Sequence, residues 1–344
     1  MASVRDLDIK HGFVEMTHGA GGRATATLIS ALFAEHFRNE YLDQGHDGAV
    51  MPPIQRPVAV SCDAHVVSPL FFPGGDIGRL AVAGTVNDVS MCGAKPLYIA
   101  ASFILEEGFP LAGLERIVAS MAATAKEAGV QIVTGDTKVV ERGKGDGVYI
   151  ATTGVGERLA GHMISGKCAK PGDKILISGT MGDHGMTIMS LRENMQFDSP
   201  ITSDAAPLNH MIEAILKAAP GTHVLRDPTR GGLATTLNEI ASESGVGILL
   251  EEAAIPVKDA VRAACEFLGL DPLYAANEGK LIAIVPPEEA DAALAAMKAD
   301  PHGADAAVIG VVTEDNAPFV EMTTQLGGRR TVDWLNGEQL PRIC

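Results

Sequence analysis

The sequence predicts an α+β protein made of two domains. Its 344 residues are 46% hydrophobic and only 4% aromatic, which is enough for two cores of aliphatic side chains and methionine. Strand and helix patterns alternate along both halves of the chain. The turn Pro171-Gly172-Asp173, just before a strand, indicates a boundary near Ala160. We therefore expect domains over 1–160 and 161–333, followed by a tail over 334–344.

Composition and charge argue against several classes of protein. The 43 acidic and 27 basic side chains give a formal net charge of -16 without a Lys/Arg-rich stripe, so no nucleic acid partner is expected. No apolar run approaches the ~20 residues of a membrane span, and the first residues have no apolar signal core, so we expect a cytoplasmic protein without a membrane partner. The five cysteines are scattered without Cys-x-x-Cys spacing, which favours reduced thiols over disulfides or a zinc site.

A glycine-rich segment opens the first half. His18-Gly19-Ala20-Gly21-Gly22 precedes an apolar-periodic helix that contains Leu28 and Leu32. Glycines at a helix N-terminus suit a phosphate, although the segment is neither a Walker A loop nor a Gly-x-Gly-x-x-Gly motif after a strand. A flexible turn explains it equally well.

Apolar patterns predict the other elements of the first half. In order, they are a strand from Pro57 to Asp63, a helix from Ile77 to about Met91, a strand from Leu97 to Leu105, a helix from Leu111 to about Ala128, and strands over 130–134 and 148–155. Asp63 and Asp136 come at strand ends, and Asp88 lies within the first of these helices. Carboxylates from separate elements suit Mg²⁺, so the three aspartates predict a shared magnesium cluster. Unrelated caps and turns are the alternative.

The second half repeats the alternation. The predicted elements are a strand over 174–178, helices beginning at Asp183 and near Leu233, a strand over 246–250, a helix over 257–268, a strand over 281–285, a helix over 288–298 and a strand over 307–312. Asp227-Pro228-Thr229-Arg230-Gly231-Gly232 leads into a helix N-terminus and suits either a phosphate or a simple turn. Asn277-Glu278-Gly279-Lys280, taken alone, is a turn with a solvated charge. His18 and His184, each next to a glycine, receive no catalytic role.

The chain ends on a thiol carried by an irregular segment, Trp334 to Cys344. The segment lacks helical or strand periodicity, and ten extended residues reach roughly 30 Å, so it could carry the Cys344 sulfur between the surface and a pocket. The alternative is a frayed terminus with an inert cysteine. The other four cysteines fall in apolar segments or beside a turn, where inert packing is the default, so we expect Cys344 to be the only reactive thiol.

A set of short motifs is spread from about Glu15 to Cys344. They are His-Gly-Ala-Gly-Gly at 18–22, Ser-Pro-Leu-Phe-Phe-Pro-Gly-Gly-Asp-Ile-Gly at 68–78, Asn-Asp-Val at 87–89, Ile-Leu-Glu-Glu-Gly at 104–108, Thr-Gly-Asp-Thr-Lys-Val-Val at 134–140, Gly-Asp-His-Gly at 182–185, Asp-Pro-Thr-Arg-Gly-Gly at 227–232, Ala-Asn-Glu-Gly-Lys-Leu at 276–281 and the final Pro-Arg-Ile-Cys. Together they resemble the PurM/AIR-synthetase superfamily of ATP-using enzymes, in particular its hydrogenase maturation branch, the HypE family. The likeness is weakest over 38–56.

This resemblance implies a PurM-like two-domain fold. An N-terminal ferredoxin-like, barrel-forming domain would pair its strands with those of a second copy in a homodimer, and a C-terminal α+β domain would pack on it. ATP, with Mg²⁺, would lie between the domains. The ATP-binding residues implied are Gly19, Gly21, Gly22, Asn87, Asp136, Asp227, Arg230, Gly231 and Gly232.

The resemblance also implies a reaction. A separate carbamoyltransferase, HypF, would load a carbamoyl group onto Cys344, ATP-dependent dehydration would give a thiocyanate, and the cyano group would pass to iron on a HypC-HypD complex for nickel-iron hydrogenase. An amide oxygen leaves poorly unless it is phosphorylated, and a base must take the nitrogen proton. We expect Glu278 to be this base and Lys138, from the other domain, to balance charge. The roles are open to exchange, and an interdomain ion pair is the alternative.

Other functions fit an ATP site. A purine-pathway cyclo-ligase or a selenophosphate synthetase would use a similar site, but neither needs a C-terminal cysteine. His18 to Ala24 also lacks the reactive cysteine or selenocysteine, with a lysine, that the latter should carry. A nucleotide-gated scaffold would dock the tail in a partner without turnover. Phosphate release with and without a loaded Cys344 separates a scaffold from an enzyme.

Overall fold

Two β-sheets, each packed against helices, organise the chain. The computed structural model describes residues 7–159, 161, 164–195, 197, 200–315, 318–337, 340 and 342–344. The polar leader to residue 6, the expected boundary residue Ala160 and tail residues 338, 339 and 341 lie outside this described part. The expected domain limits at 160 and 333 stay predictions.

The first sheet has four strands with helices on one face. Its strands are β1 (Val58–His65), β4 (Ala94–Glu106), β5 (Gln131–Val140) and β6 (Val148–Arg158), and a small hairpin adds β2 (Phe71–Phe72) and β3 (Gly75–Asp76). The strand order is β1-β6-β4-β5, and only the β4–β5 pair is parallel. The strands β1 and β5 are therefore the two edges of the sheet.

Capping and periodicity explain the helices of this half. They are α1 (Arg23–Leu28), a π-helical turn (Ile29–Phe33), α2 (Ala34–Phe37), α3 (Ile77–Met91) and α4 (Leu111–Ala128). The Asp76 carboxylate accepts hydrogen bonds from Gly78 N and Arg79 N and so begins α3. Gly129, with a φ of 73°, ends α4. Helix α3 is buried on nearly every side, between the sheet and α4, which makes it the centre of the first core.

The second sheet has seven strands. They are β7 (Lys174–Ile177), β8 (Val224–Arg226), β9 (Gly247–Glu251), β10 (Ile282–Val285), β11 (Ala307–Thr313), β12 (Val320–Thr323) and β13 (Arg329–Thr331), in the order β13-β12-β9-β11-β7-β10-β8. The helices are α5 (Asp183–Arg192), α6 (Asn209–Ala218), α7 (Gly232–Ser244), α8 (Asp259–Leu268) and α9 (Ala290–Ala299). All strand pairs are antiparallel except β9 with β12.

One segment, residues 200–207, is joined to the first half by hydrogen bonds that its backbone groups make. Ser203 N donates to Pro73 O at 2.9 Å, and the Arg79 guanidinium donates to Ala205 O at 2.6 Å. The Asn87 amide donates to Ala206 O at 3.0 Å. Residues of the first half therefore bind a segment that belongs to the second half. These bonds hold the two halves against each other.

The structure corrects several expectations about the elements. Asp63 and Asp136 lie inside β1 and β5 rather than at strand ends, because both strands continue in register with their neighbours. Helix α6 and strands β12 and β13 were not predicted. Strand β13 is exposed along its whole length, so its sequence has no alternating apolar pattern.

Candidate active site

Two carboxylates from neighbouring elements meet between the halves. Asp63 projects from β1 toward α3. Asp88 lies on a partly exposed stripe of α3, with Gly84 four residues earlier, and both residues line the same cavity. Thr85 Oγ1 donates to Asp63 at 2.9 Å, and Ser61 Oγ donates to Asp88 at 2.7 Å. Both carboxylates are thereby oriented into the same cavity.

A third carboxylate, Asp227, enters this cavity from the second half. The cavity has a volume of about 730 Å³ and is also lined by Arg230, Glu278 and Cys344. Burial, and then the charge of Asp63, raises the pKa of Asp88, while burial and Asp88 raise the pKa of Asp227 to about 7. The cluster thus carries negative charge that a cation would relieve.

These residues fit a magnesium ion held jointly with a nucleotide. Mg²⁺ is usually bound by one or two carboxylates together with phosphate and water oxygens. Within the described ranges, no three His, Cys, Asp or Glu side chains already form a complete metal site. Asp63 and Asp88 can therefore supply protein ligands while phosphate oxygens complete the shell.

The tail is docked into the same cavity. Ile343 is only 3% exposed and belongs to the first core, with Leu340 packed against that core. The Cys344 thiol lies beside the Glu278 carboxyl group in this cavity, and Glu278 Oε1 has no hydrogen-bond partner among the described residues. Burial and the adjacent Glu278 raise the pKa of the Cys344 thiol. The docked sulfur is therefore held as a thiol beside a buried carboxyl group.

Glu278 is fixed by the loop that carries it. Asn277 is fully buried and accepts from Gly182 N at 2.7 Å, and Glu278 N donates to the Asp204 carboxylate at 3.2 Å. A Cβ at position 279 would lie 1.7 Å from Asp204 O, so only glycine fits there. Burial, and then the charges of Asp204 and Asp227, raises the pKa of Glu278 well above its ordinary value. A buried carboxyl group with a raised pKa holds a proton more firmly than an ordinary one, which suits it to proton transfer.

A second cavity, of about 370 Å³, also reaches the tail. Its lining includes Gly231, Tyr274, Leu340 and Cys344, and Arg230 lines both cavities. The Gly231-Gly232 pair, expected at a phosphate, has a packing reason of its own, because a Cβ on Gly232 would lie 2.5 Å from Leu273 O. Arg230 is the cation that both cavities share.

Asp136 and Lys138 lie elsewhere in the single chain. They form an ion pair with each other at 3.3 Å on β5, with side chains 63% and 66% exposed. Three strand spacings separate β5 from β1, a distance of about 14 Å at ~4.8 Å each. Within one chain, Asp136 therefore does not join Asp63 in a metal cluster, and Lys138 does not meet Glu278. Asp227 occupies the place beside Asp63 and Asp88 that was expected for Asp136.

Other predicted nucleotide contacts also lie outside the cavity. Gly19 packs against Val139 of β5, and Gly21 and Gly22 are exposed next to α1. Asn87 is 2% exposed, and its amide is bonded to backbone groups: it donates to Ala206 O and Glu278 O and accepts from Leu208 N. This arrangement makes Asn87 a structural link between the halves, in contrast to the nucleotide contact expected of it.

The cysteines differ from expectation in one respect. All five lie in the described part of the chain and are free thiols, and Cys265 is buried as expected. Cys62 and Cys92 are exposed and line the large cavity, because β1 is an edge strand and Cys92 follows the end of α3. These two thiols lack the buried apolar surroundings that the sequence suggested.

Sequence reasoning missed the residues that support the site from behind. His184 is fully buried and contacts the tail backbone, and Asp204 pairs with Lys280 at 3.2 Å. The only signal for His184 was its place in the Gly-Asp-His-Gly motif. Asp204 lies in a polar stretch without periodicity, so nothing in the sequence pointed to it.

Comparison with known proteins assigns this architecture to a family. The family models described as AIR synthase related protein, N-terminal domain, and AIR synthase related protein, C-terminal domain, match residues 45–158 and 170–323. The carbamoyl dehydratase HypE of Cupriavidus necator is 64% identical over 341 residues, which are 99% of this chain and 97% of that protein.

Solved structures agree with this assignment. A crystal structure of hydrogenase maturation protein HypE in complex with ATP matches with a TM-score of 0.93 and 55% identity, covering 96% of this chain and 99% of that chain. HypE in a HypE-HypF complex matches with a TM-score of 0.79 and 52% identity, covering 90% and 99%. Among the described residues, no helix is long and apolar enough to span a membrane. The α+β fold is thus PurM-like, and the chain belongs to the AIR synthase related proteins and, among them, to the HypE family.

Proposed function

We propose that this chain is an ATP-dependent carbamoyl dehydratase, which converts a thiocarbamate on Cys344 into a thiocyanate for the iron of nickel-iron hydrogenase. The observation that carries the proposal is the docked tail, whose terminal thiol meets a buried carboxyl group, Glu278, at a carboxylate-lined cavity. A chain that only displayed its tail to a partner would not need this contact. The HypE relatives named carbamoyl dehydratase support the same activity.

The reaction removes one oxygen and two protons from the carbamoyl group. The carbamoyl oxygen takes the γ-phosphoryl group of ATP, which releases ADP; the carbon–oxygen bond then breaks to release phosphate while the nitrogen loses its protons and the carbon–nitrogen triple bond forms. Phosphorylation makes the nitrogen more acidic, so a carboxylate is a sufficient base. Glu278 lies beside the sulfur that carries the group, and we assign it this role.

We assign the nucleotide to the large cavity. HypE bound to ATP is among the structures similar to this chain, and the cavity volume of about 730 Å³ accommodates a nucleotide. Mg²⁺, held by Asp63 and Asp88 with Asp227 close by, would neutralise phosphate charge when bound. Arg230, next to Cys344, is positioned to bind the oxygen that becomes phosphorylated.

We further propose a homodimer that completes this site. Within the described chain, one face of the first sheet is uncovered and apolar, with Val58, Val60 and Ile104 at 52%, 61% and 44% exposure. Packing two such faces about a two-fold axis buries these side chains and can bring β5 of one copy beside β1 of the other. In that arrangement Asp136 and Lys138 of the partner subunit reach the carboxylate cavity. Their predicted roles then apply across the dimer.

The dimer proposal is tested by Val58→Asp, which places a charge on the uncovered face at a residue that does not line the large cavity. Light scattering should give a dimer for the wild-type chain and a monomer for the variant, with loss of dehydration. A monomeric wild-type chain that still dehydrates would contradict the proposal.

As partners, we propose HypF for loading, because HypE is found in a HypE-HypF complex, and HypC-HypD as the acceptor of the cyano group.

Intact-mass analysis tests the function. Incubation with the carbamoyl donor system should add a carbamoyl group to Cys344, and ATP should then cause the loss of one water mass. The Cys344→Ala variant should gain no adduct, whereas Cys168→Ser, which changes a thiol that does not line the cavity, should behave as wild type. A carbamoyl adduct that persists after ATP is added would refute the dehydratase activity and favour a nucleotide-gated scaffold instead.

A further inference from the structure

Two side chains of helix α5 bind backbone carbonyl groups of the tail. His184 Nε2 lies 2.7 Å from Ile343 O, and a guanidinium nitrogen of Arg192, at the other end of α5, donates to Arg342 O. Arg192 Nε also donates to Ser68 O at 2.7 Å, which ties the helix to the first half of the chain. The last two peptide carbonyls before Cys344 are thus both bound by one helix.

The hydrogen bonds of His184 determine its tautomer. Ile343 O can only accept, so Nε2 must carry the hydrogen. Nδ1 of the neutral ring then accepts from the Ser203 hydroxyl at 2.8 Å, and Ser203 Oγ in turn accepts from Ala205 N at 3.1 Å. The three hydrogen bonds therefore run in one direction, from Ala205 N through the Ser203 hydroxyl and the His184 ring to Ile343 O. The ring is further held by the edge contact with Phe72, at 5.5 Å between centroids.

This arrangement leaves the imidazole no role as an acid or base. The side chain is fully buried, and burial lowers its pKa, so the ring stays neutral. Its Nε2 is occupied by a peptide carbonyl rather than by the reacting sulfur. The ring can fix the position of Ile343, and the sulfur of the next residue, Cys344, lies beside Glu278 in the large cavity.

We propose that His184 is a positioning residue for the dehydration, which donates to Ile343 O and so holds the Cys344 sulfur against Glu278. The inference rests on the proposed function. The contacts that hold the tail include the two backbone carbonyls, the packing of Ile343 and Leu340 against the first core, and an ion pair between Arg342 and Asp146, and none of these contacts uses the Cys344 sulfur.

The test compares two variants of similar side-chain volume. His184→Gln keeps an N–H donor near the position of Nε2, whereas His184→Met removes it. The matched control is Ser190→Ala, on the same helix, because the buried Ser190 hydroxyl has no partner among the described residues. Alkylation of Cys344 by iodoacetamide is followed in the full-length protein by top-down mass spectrometry, with Cys168 as the internal reference.

In His184→Met, alkylation of Cys344 should rise at least about 5-fold relative to Cys168, which corresponds to the loss of one net buried hydrogen bond. Dehydration of the loaded tail should slow by a similar factor while the Kd for ATP stays unchanged, and His184→Gln should restore both. Unchanged alkylation in His184→Met, an equal effect of Gln and Met, or the same effect in Ser190→Ala would overturn the inference. If the loaded wild-type chain never loses water, the proposed dehydratase function is wrong. The alkylation rates of the variants still decide whether His184 holds the tail in its dock.

Discussion

Asn87 provides a sharp test of the distinction between structural and nucleotide-binding residues. Its amide accepts from Leu208 N at 2.7 Å and donates to Ala206 O at 3.0 Å, and both of those residues are buried. Asn87→Ala removes the hydrogen-bond partner that Asn87 provides to each of these two peptide groups. At about 1–3 kcal/mol for each unsatisfied buried group, with partial relaxation, the free energy of unfolding should fall by about 2–4 kcal/mol.

The expected loss is measurable by thermal unfolding. A chain of 344 residues has an unfolding entropy of about 0.7 kcal/mol/K, so the Tm should fall by about 3–6 °C. Asn209→Ala is the matched control, because the buried Asn209 makes one hydrogen bond, to Ala128 O at 2.9 Å, and its own oxygen has no partner among the described residues. The Tm of Asn209→Ala should fall by about half as much as that of Asn87→Ala.

Nucleotide titration completes this test. If Asn87 links the halves, the Kd for ATP of Asn87→Ala, measured well below its Tm, should match that of Asn209→Ala. A weakened ATP affinity together with a Tm loss no larger than that of Asn209→Ala would refute the reasoning and restore Asn87 to the nucleotide site.

The remaining predictions concern ionisable residues. Because the pKa of Asp227 is raised to about 7 from 3.8, the unfolded chain loses this proton between about pH 4 and 7 while the folded chain retains it, so stability falls as pH rises. The urea midpoint of Asp227→Asn should therefore exceed that of the wild-type chain by an amount that grows as pH rises across that range. A difference that is independent of pH would contradict the raised pKa of Asp227 in the carboxylate cluster. Mg²⁺ should raise the Tm of the wild-type chain at pH 8, and Asp88→Asn should reduce this rise; an equal rise in both would exclude Asp88 as a ligand. Glu278→Gln should keep the carbamoyl adduct on Cys344 without losing water, and the wild-type rate should increase with pH because the raised pKa keeps Glu278 protonated at low pH; dehydration at the normal rate in Glu278→Gln would exclude it as the base.

Periodicity predicted much of the fold because most elements have one buried face. Helix α4 spans Leu111–Ala128, the residues that its apolar pattern indicated. Strand β12 was missed because its four residues, Val-Glu-Met-Thr, lack the continuous apolar run that indicated the equally short strands β7 and β10. The order of strands in a sheet cannot be deduced from such patterns, and this order puts Asp136 at the edge opposite Asp63.

The site was predictable where residue type and motif agreed. Asp63, Asp88, Asp227, Glu278 and Cys344 were all singled out from the sequence, and they line one cavity. The docking of the tail was open, because an irregular segment looks the same whether it is frayed or held. Its docking depends on peptide carbonyls, which every residue possesses, and on a histidine 159 residues away in the chain.

The raised pKa of the docked Cys344 thiol has a consequence for the order of events in a turnover. A thiol with a raised pKa is a weaker nucleophile, so under the proposed function we expect acylation of molecules whose tail has left the dock. The apparent Kd of the loading enzyme should then exceed the intrinsic one by the reciprocal of the undocked fraction. Each ~1.4 kcal/mol of docking free energy weakens this apparent affinity about tenfold. Variants that loosen the dock should thus load at lower concentrations of the loading enzyme, even as they dehydrate more slowly.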